Sequence, residues 1–265
     1  MINNLNRIND TSYSPYAIKP KQKIYDQKTD DSLDNININY FRFLNSIKAQ
    51  KLISFGKLDD IVKKAIENRE INRTFVPTPE IIIRKITDLA EIESGERILE
   101  PSAGQGHIIE YIKSIFGDSI CIDAIEINET LRKSLKERNI NCKASDILKY
   151  NPGEIYDKVL MNPPFGKLEF SNHVIHCYNL LKPGGKLVAI IPDPPFRCYE
   201  KYEIKKIKER YGIHTSTENF LKLVEIIKNP EICCHFEVLP KGMFKCGDIP
   251  ANIDTRLLVL KKPIN

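Results

Sequence analysis

Residues 96–128 read ERILEPSAGQGHIIEYIKSIFGDSICIDAIEIN. Two short apolar runs, RILE and CIDAIEI, bracket a glycine turn and an amphipathic stretch that stops at Gly117. That order predicts a strand, a turn, a helix and a second strand, the repeating unit of a parallel sheet. Ile108, Ile112, Ile115 and Phe116 fall on one side of the expected helix. Gly104 and Gly106 stand where the strand passes into the helix, which is where doubly wound sheets bind nucleotides. Ile109 occupies the place of the third glycine in a dinucleotide fingerprint, which argues against a nicotinamide or flavin site.

The same rhythm continues in both directions. Upstream, Thr78 is the expected N-cap of a helix with Pro79 at its first position and Ile82, Ile86 and Leu89 on one face. Downstream come a helix with Leu131 and Leu135, a third strand in INCKASDIL (140–148) and a fourth in YDKVLMNPPF (156–165). A helix through Val174, Cys177, Tyr178 and Leu181 then leads to a PGG turn and the strand KLVAIIP (186–192). FEVLPKGMF (236–244) and TRLLVLKK (255–262) read as an antiparallel closing pair. The expected fold is α/β, a doubly wound and mostly parallel seven-stranded sheet. Residues 1–56, rich in Asn, Asp and Lys, read as a poorly ordered or draped tail. Residues 57–73 read as a short helical lead-in, and 74–265 as the main domain.

The chain has 265 residues, 42% of them apolar and 28% charged, ordinary for a soluble globular protein. Its longest apolar run, Leu187 to Ile191, is far short of the roughly 20 residues of a spanning helix. The N-terminus shows no secretory h-region. Seven scattered cysteines do not form a disulfide framework, so a reducing compartment, the cytoplasm, is expected. The net charge of +5 permits a polyanionic partner without requiring one.

Three acids sit at successive expected strand ends. Glu100 precedes the glycine turn, Glu126 follows the second strand and Asp146 the third. A carboxylate at Glu126 can accept from two ribose hydroxyls, and one at Asp146 from an exocyclic adenine amine. Asn162-Pro163-Pro164-Phe165 closes the fourth strand. Two prolines fix its backbone and remove two N–H donors. The Asn162 amide oxygen and the Pro163 carbonyl can each take one hydrogen of an amine, while Phe165 stacks on a planar ring.

On these motifs the chain resembles class I S-adenosylmethionine-dependent methyltransferases, specifically the amino-methyltransferases with an (Asn/Asp/Ser)-Pro-Pro-aromatic turn. The resemblance covers about residues 74–262, with the motifs in the family's order, and implies the Rossmann-like methyltransferase fold. TFVPTPEII resembles the segment over the methionine part of the cofactor, which assigns Phe75, Pro77 and Thr78 to it. ILEPSAGQGHI resembles the cofactor loop, implying contacts from Glu100, Pro101, Ser102, Ala103, Gly104, Gly106, His107 and Ile108. AIEIN implies a ribose site at Glu126 and Ile127, and ASDIL an adenine site at Asp146 and Ile147. MNPPF resembles the catalytic turn, with Asn162, Pro163, Pro164 and Phe165 catalytic and Asn162 also bordering the cofactor. The Glu-Pro-Ser-Ala-Gly form of the loop is similar to that of DNA adenine-N6 methyltransferases, including modification enzymes of restriction systems and compact phage and plasmid enzymes. The implied cofactor is S-adenosyl-L-methionine and the implied substrate the N6 amine of adenine in DNA. Alternatives keep the mechanism on RNA (adenine N6 or guanine N2) or a protein glutamine, or make the chain a non-catalytic nucleic-acid-binding subunit. Only about 70 residues follow KLVAIIP. Such DNA enzymes usually carry a large recognition domain there, so a partner specificity subunit, low specificity or an RNA substrate is expected.

Asp193-Pro194-Pro195-Phe196 fits the same pattern. Topology favours Asn162, which ends the fourth strand beside the first, whereas Asp193 ends the fifth. No membrane contact is expected. Arg197, Lys201, Lys205, Lys206 and Lys208 interleave with aromatic residues after the fifth strand. They read either as a phosphate-binding strip on the crevice side or as a solvated helix. His173, His176 and Cys177 lack a second ligand cluster and read as a solvated helix face, with no metal. Cys233-Cys234-His235 reads as a part-buried loop.

Overall fold

The computed structural model describes Asp60, residues 76–246 and residues 252–264. The expected tail, the lead-in apart from Asp60, and Phe75 lie outside the described residues. The strands are β1 (Arg97–Glu100), β2 (Cys121–Ile125), β3 (Cys142–Ala144), β4 (Tyr156–Met161), β5 (Leu181–Pro192), β6 (Cys233–Val238) and β7 (Thr255–Lys261). They form one seven-stranded sheet in the order β3-β2-β1-β4-β5-β7-β6. The five strands from β3 to β5 are parallel, and β7 runs antiparallel to both β5 and β6. The α/β class, the mostly parallel sheet and the antiparallel closing pair are as expected.

The helices are α1 (Glu80–Ala90), α2 (His107–Phe116), α3 (Glu129–Glu137), α4 (Glu169–Asn179), α5 (Pro194–Tyr211) and α6 (Thr215–Lys228). Helices on both faces bury the central strands on both sides, so these read as continuous apolar runs rather than alternating ones. Val159 to Met161, Leu187 to Ile191 and Leu257 to Leu260 are accordingly all buried. Among the described residues no helix is long and apolar enough to cross a membrane.

Strand order reverses between β1 and β4. Their carboxyl ends diverge there and open a crevice, with Glu100 on one side and Asn162 on the other.

Four local expectations are corrected. Pro79, not Thr78, caps α1: its carbonyl accepts from the Ile83 N–H at 3.0 Å, and no side chain caps the helix. Ile115 is 53% exposed. Ile109 takes the inward position instead, packed with Ala103, Ala124, Leu135 and Ile140, so α2 is rotated about its axis from the expected face. Cys233, Cys234 and His235 belong to strand β6, because β7 offers them a pairing edge (Cys233 opposite Leu260, His235 opposite Val259). The sixth strand therefore starts before Phe236, and Met243–Cys246 is a 3-10 turn. Helix α6, which buries Thr217, Phe220, Leu223 and Val224, is not among the elements expected from sequence.

Candidate active site

The crevice is a cavity of about 740 Å³. Its floor is the glycine turn. Gly104 and Gly106 both hold positive φ (55° and 84°). The Ala103 N–H donates to the Ile125 carbonyl at 2.9 Å, tying the turn to the end of β2. At Gly106 a side chain would come within 2.7 Å of Leu135 Cδ2, so this glycine is required by packing of α2 on α3. Gly106 is behind the cavity wall, not on it. The expected contacts at Pro77, Thr78, Pro101, Ser102, Ala103, His107 and Ile108 do line the cavity, as do Ile127 and Ile147.

Glu126 laces the floor together. Its Oε2 accepts from the Gly104 N–H at 2.7 Å and its Oε1 from the Asn128 N–H at 2.8 Å. Each carboxylate oxygen retains a second acceptor site. Burial raises the Glu126 carboxyl above its ordinary range, against the pull of those backbone donors. Glu100 is buried more deeply, and burial together with the neighbouring charge of Glu126 pushes its carboxyl well above the ordinary range. Its Oε2 has no hydrogen-bond partner among the described residues. Asp146 accepts the Leu148 N–H at 3.0 Å, capping the 3-10 turn Ile147–Lys149.

The wall opposite is the Asn162-Pro163-Pro164-Phe165 turn. Asn162 Nδ2 donates to Thr78 Oγ1 at 3.0 Å and points at the Val76 carbonyl at 3.5 Å. A backbone carbonyl only accepts, so the NH2 must lie on that side and the amide oxygen is the group left open. Thr78 therefore orients the Asn162 amide instead of capping α1. Phe165 is half-buried on the cavity. The two residues after Gly166, Lys167 and Leu168, hold φ of 42° and 66°. Left-handed backbone costs an L-residue roughly 1–2 kcal/mol, and such strain gathers at functional turns.

The second Pro-Pro-Phe turn is occupied with structure. Asp193 is 1% exposed; its Oδ1 accepts from Arg256 Nε at 2.5 Å and its Oδ2 from Arg197 Nε at 2.7 Å. Phe196 is buried against Phe170, Phe220 and Phe236. Neither residue lines the cavity.

The basic strip lies on α5, none of whose residues lines the cavity. Arg197 is engaged by Asp193 and Asp254, and Lys206 pairs with Glu209. Lys205 and Lys208 are exposed, and Lys201 is on the same helix. The expected solvated face of α4 is corrected: Glu169, Asn172 and His173 line the cavity, with Ser216 from α6. Asn172 Nδ2 donates to Ser216 Oγ at 2.8 Å. Burial draws His173 down to about 4, opposed by Asp146. Phe244 and Ile253, from the β6–β7 connection, complete the wall. Among the described residues no group of three or more His, Cys, Asp and Glu is placed to hold a metal ion.

No protein-family model matches the chain. It is 30% identical over 109 residues to the type II methyltransferase M.TthHB8I of Thermus thermophilus, covering 40% of this chain and 25% of that one. It is 28% identical over 140 residues to malonyl-[acyl-carrier protein] O-methyltransferase 2 of Ilyobacter polytropus, covering 46% and 54%. Among solved structures it superposes on the methyltransferase subunit of a type I restriction-modification system from Streptococcus thermophilus. That match has a TM-score of 0.51 and 17% identity, over 70% of this chain and 44% of that one. The chain shares the methyltransferase fold. It spans a quarter to about half the length of the curated relatives it matches.

Proposed function

We propose that the protein is an S-adenosylmethionine-dependent methyltransferase that methylates the N6 amine of adenine in DNA. The observation that carries this reading is the orientation of Asn162: the Val76 carbonyl and Thr78 take its NH2 and leave the amide oxygen open.

The residues present fit the cofactor. Four carboxylates line the cavity (Glu100, Glu126, Asp146 and Glu169), and no lysine or arginine does so among the described residues. That wall favours a ligand carrying an ammonium and a sulfonium. Glu100, with its buried and unpartnered Oε2, would hold the ammonium end. Glu126 would hold the ribose and Asp146 the adenine. When bound, S-adenosylmethionine supplies an electrophilic methyl group on a sulfonium sulfur.

The chain's own residues act on the other reactant. An adenine amine is a poor nucleophile because its lone pair is delocalised into the ring. The Asn162 Oδ1 and the Pro163 carbonyl accept its two hydrogens and favour a localised lone pair as charge develops. Phe165 holds the ring face in place, an orientation effect able to supply several kcal/mol. No covalent nucleophile is required.

DNA is favoured over RNA by the identity shared with a type II methyltransferase. The Streptococcus protein is a subunit of a larger system, and a partner that supplies target recognition is the corresponding expectation here. Transfer of a labelled methyl group to DNA, RNA and protein substrates in parallel tests the reading. Label in DNA is expected, and label in RNA or protein alone would refute the substrate assignment.

A further inference from the structure

Helix α4 carries a polar stripe at helical spacing: Glu169, Asn172, His173 and His176. Each polar group of the stripe except one has an evident environment. Glu169 is exposed at the mouth of the cavity. Asn172 donates to Ser216 Oγ and accepts from Asn219 Nδ2, both at 2.8 Å. His176 Nε2 meets the Tyr150 carbonyl at 2.8 Å. His173 lines the cavity and has no hydrogen bond from any described residue; its Nδ1 is buried without a partner.

That burial leaves Nε2 as the ring nitrogen a ligand can meet, because Nδ1 is unpartnered whichever nitrogen carries the proton. An acceptor set against Nε2 selects the tautomer with its proton there. The imidazole is uncharged at neutral pH, because burial outweighs the attraction of Asp146. Asp146 lies on the same cavity wall, at the 3-10 turn against which α4 packs. The cavity thus presents an acceptor, the Asp146 carboxylate, on the same wall as a neutral imidazole whose Nε2 can donate.

We propose that His173 reads the adenine ring of the cofactor, its Nε2–H donating to the ring N7 while Asp146 accepts from the adjacent 6-amine. Adenine offers this donor and acceptor side by side on one edge. A purine with a carbonyl at C6 would set an acceptor, O6, against the Asp146 carboxylate and is rejected. The inference rests on the cofactor reading given above.

Binding of S-adenosylhomocysteine and of its 7-deaza analogue, measured by calorimetry in the absence of nucleic acid, tests it. The wild-type protein should prefer S-adenosylhomocysteine by about tenfold, the worth of one hydrogen bond. His173→Phe should bind both analogues equally, at the affinity the wild type shows for the 7-deaza compound. His173→Gln, whose amide N–H takes the place of Nε2–H, should restore the preference, and a melting curve checks that each variant is folded. If His173→Phe retains the wild-type preference, or if the wild type shows none, the role of His173 is overturned while the cofactor reading stands. If the wild type binds neither compound, the cofactor reading falls and this inference with it.

Discussion

Asn162 and Thr78 lie 84 residues apart and meet through one hydrogen bond of 3.0 Å, from the amide nitrogen to the hydroxyl oxygen. The contact joins the segment ahead of α1 to the end of β4 at the cavity wall. Together with the Val76 carbonyl, which can only accept, it fixes which face of the amide is presented to a ligand. Rotated by half a turn, the amide would offer N–H groups where an amine also offers N–H groups, and the two would repel.

Removing that hydrogen bond should therefore cost turnover more than stability. Thr78→Val keeps the shape of the side chain and should slow methyl transfer by about tenfold, the scale of one hydrogen bond. Thr78→Ser should retain most activity. The rate of a single turnover with saturating cofactor reads this directly, and an unimpaired Thr78→Val would remove Thr78 from the mechanism.

Glu100→Gln should move stability and ligand affinity in opposite directions. Burial and Glu126 hold the native carboxyl well above its ordinary value of 4.5. Its favourable contribution is fully present below 4.5 and is lost as pH rises through the elevated value. At neutral pH without cofactor, the Gln variant should melt higher by a few degrees, since no charge remains to be buried. Its affinity for S-adenosylhomocysteine should fall. A variant that melts lower at pH 7 and higher at pH 4 would reverse the assigned sign.

Glu126→Ala should weaken cofactor binding by about 1.5–3 kcal/mol, the range for hydrogen bonds to a charged group. It should also loosen the floor, because Gly104 and Asn128 both lose their acceptor. Hydrogen exchange at those two amides should quicken together. Unchanged cofactor affinity would mean that Glu126 serves the loop alone.

The two Pro-Pro-Phe turns should separate by phenotype. Asp193→Ala leaves the buried Arg256 without its closest carboxylate, a change worth about 3–5 kcal/mol of stability. Where the variant folds, it should still turn over. Asn162→Ala should be stable and inactive, and Phe165→Tyr should remain active. A dead Asp193→Ala that melts like the wild type would point to the other turn.

The parts legible in the sequence are those where chemistry and backbone geometry fall within a few residues. The glycine turn, the acids at the ends of β1 to β3 and the Asn162 turn each announce a strand end, and strand ends converge in this topology. Thr78 was legible as a polar residue before a helix, but its partner was not, because capping and long-range pairing demand the same residue type. His173 reads as solvated because the residues just before it, Ser171 and Asn172, are polar. The cavity it lines also takes Ser216 and Phe244 as members, from elements more than 40 residues downstream. Within the basic strip, the engagement of Arg197 was illegible for a related reason: Asp193 and Asp254 belong to two separate strand ends.

The most direct measurement is nucleoside mass spectrometry of DNA incubated with S-adenosylmethionine and either the wild-type protein or Asn162→Ala. The wild type should produce N6-methyladenine and Asn162→Ala should produce none while binding S-adenosylhomocysteine with nearly unchanged affinity. Methylation at another position, or N6-methyladenine formed equally well by Asn162→Ala, would contradict the account.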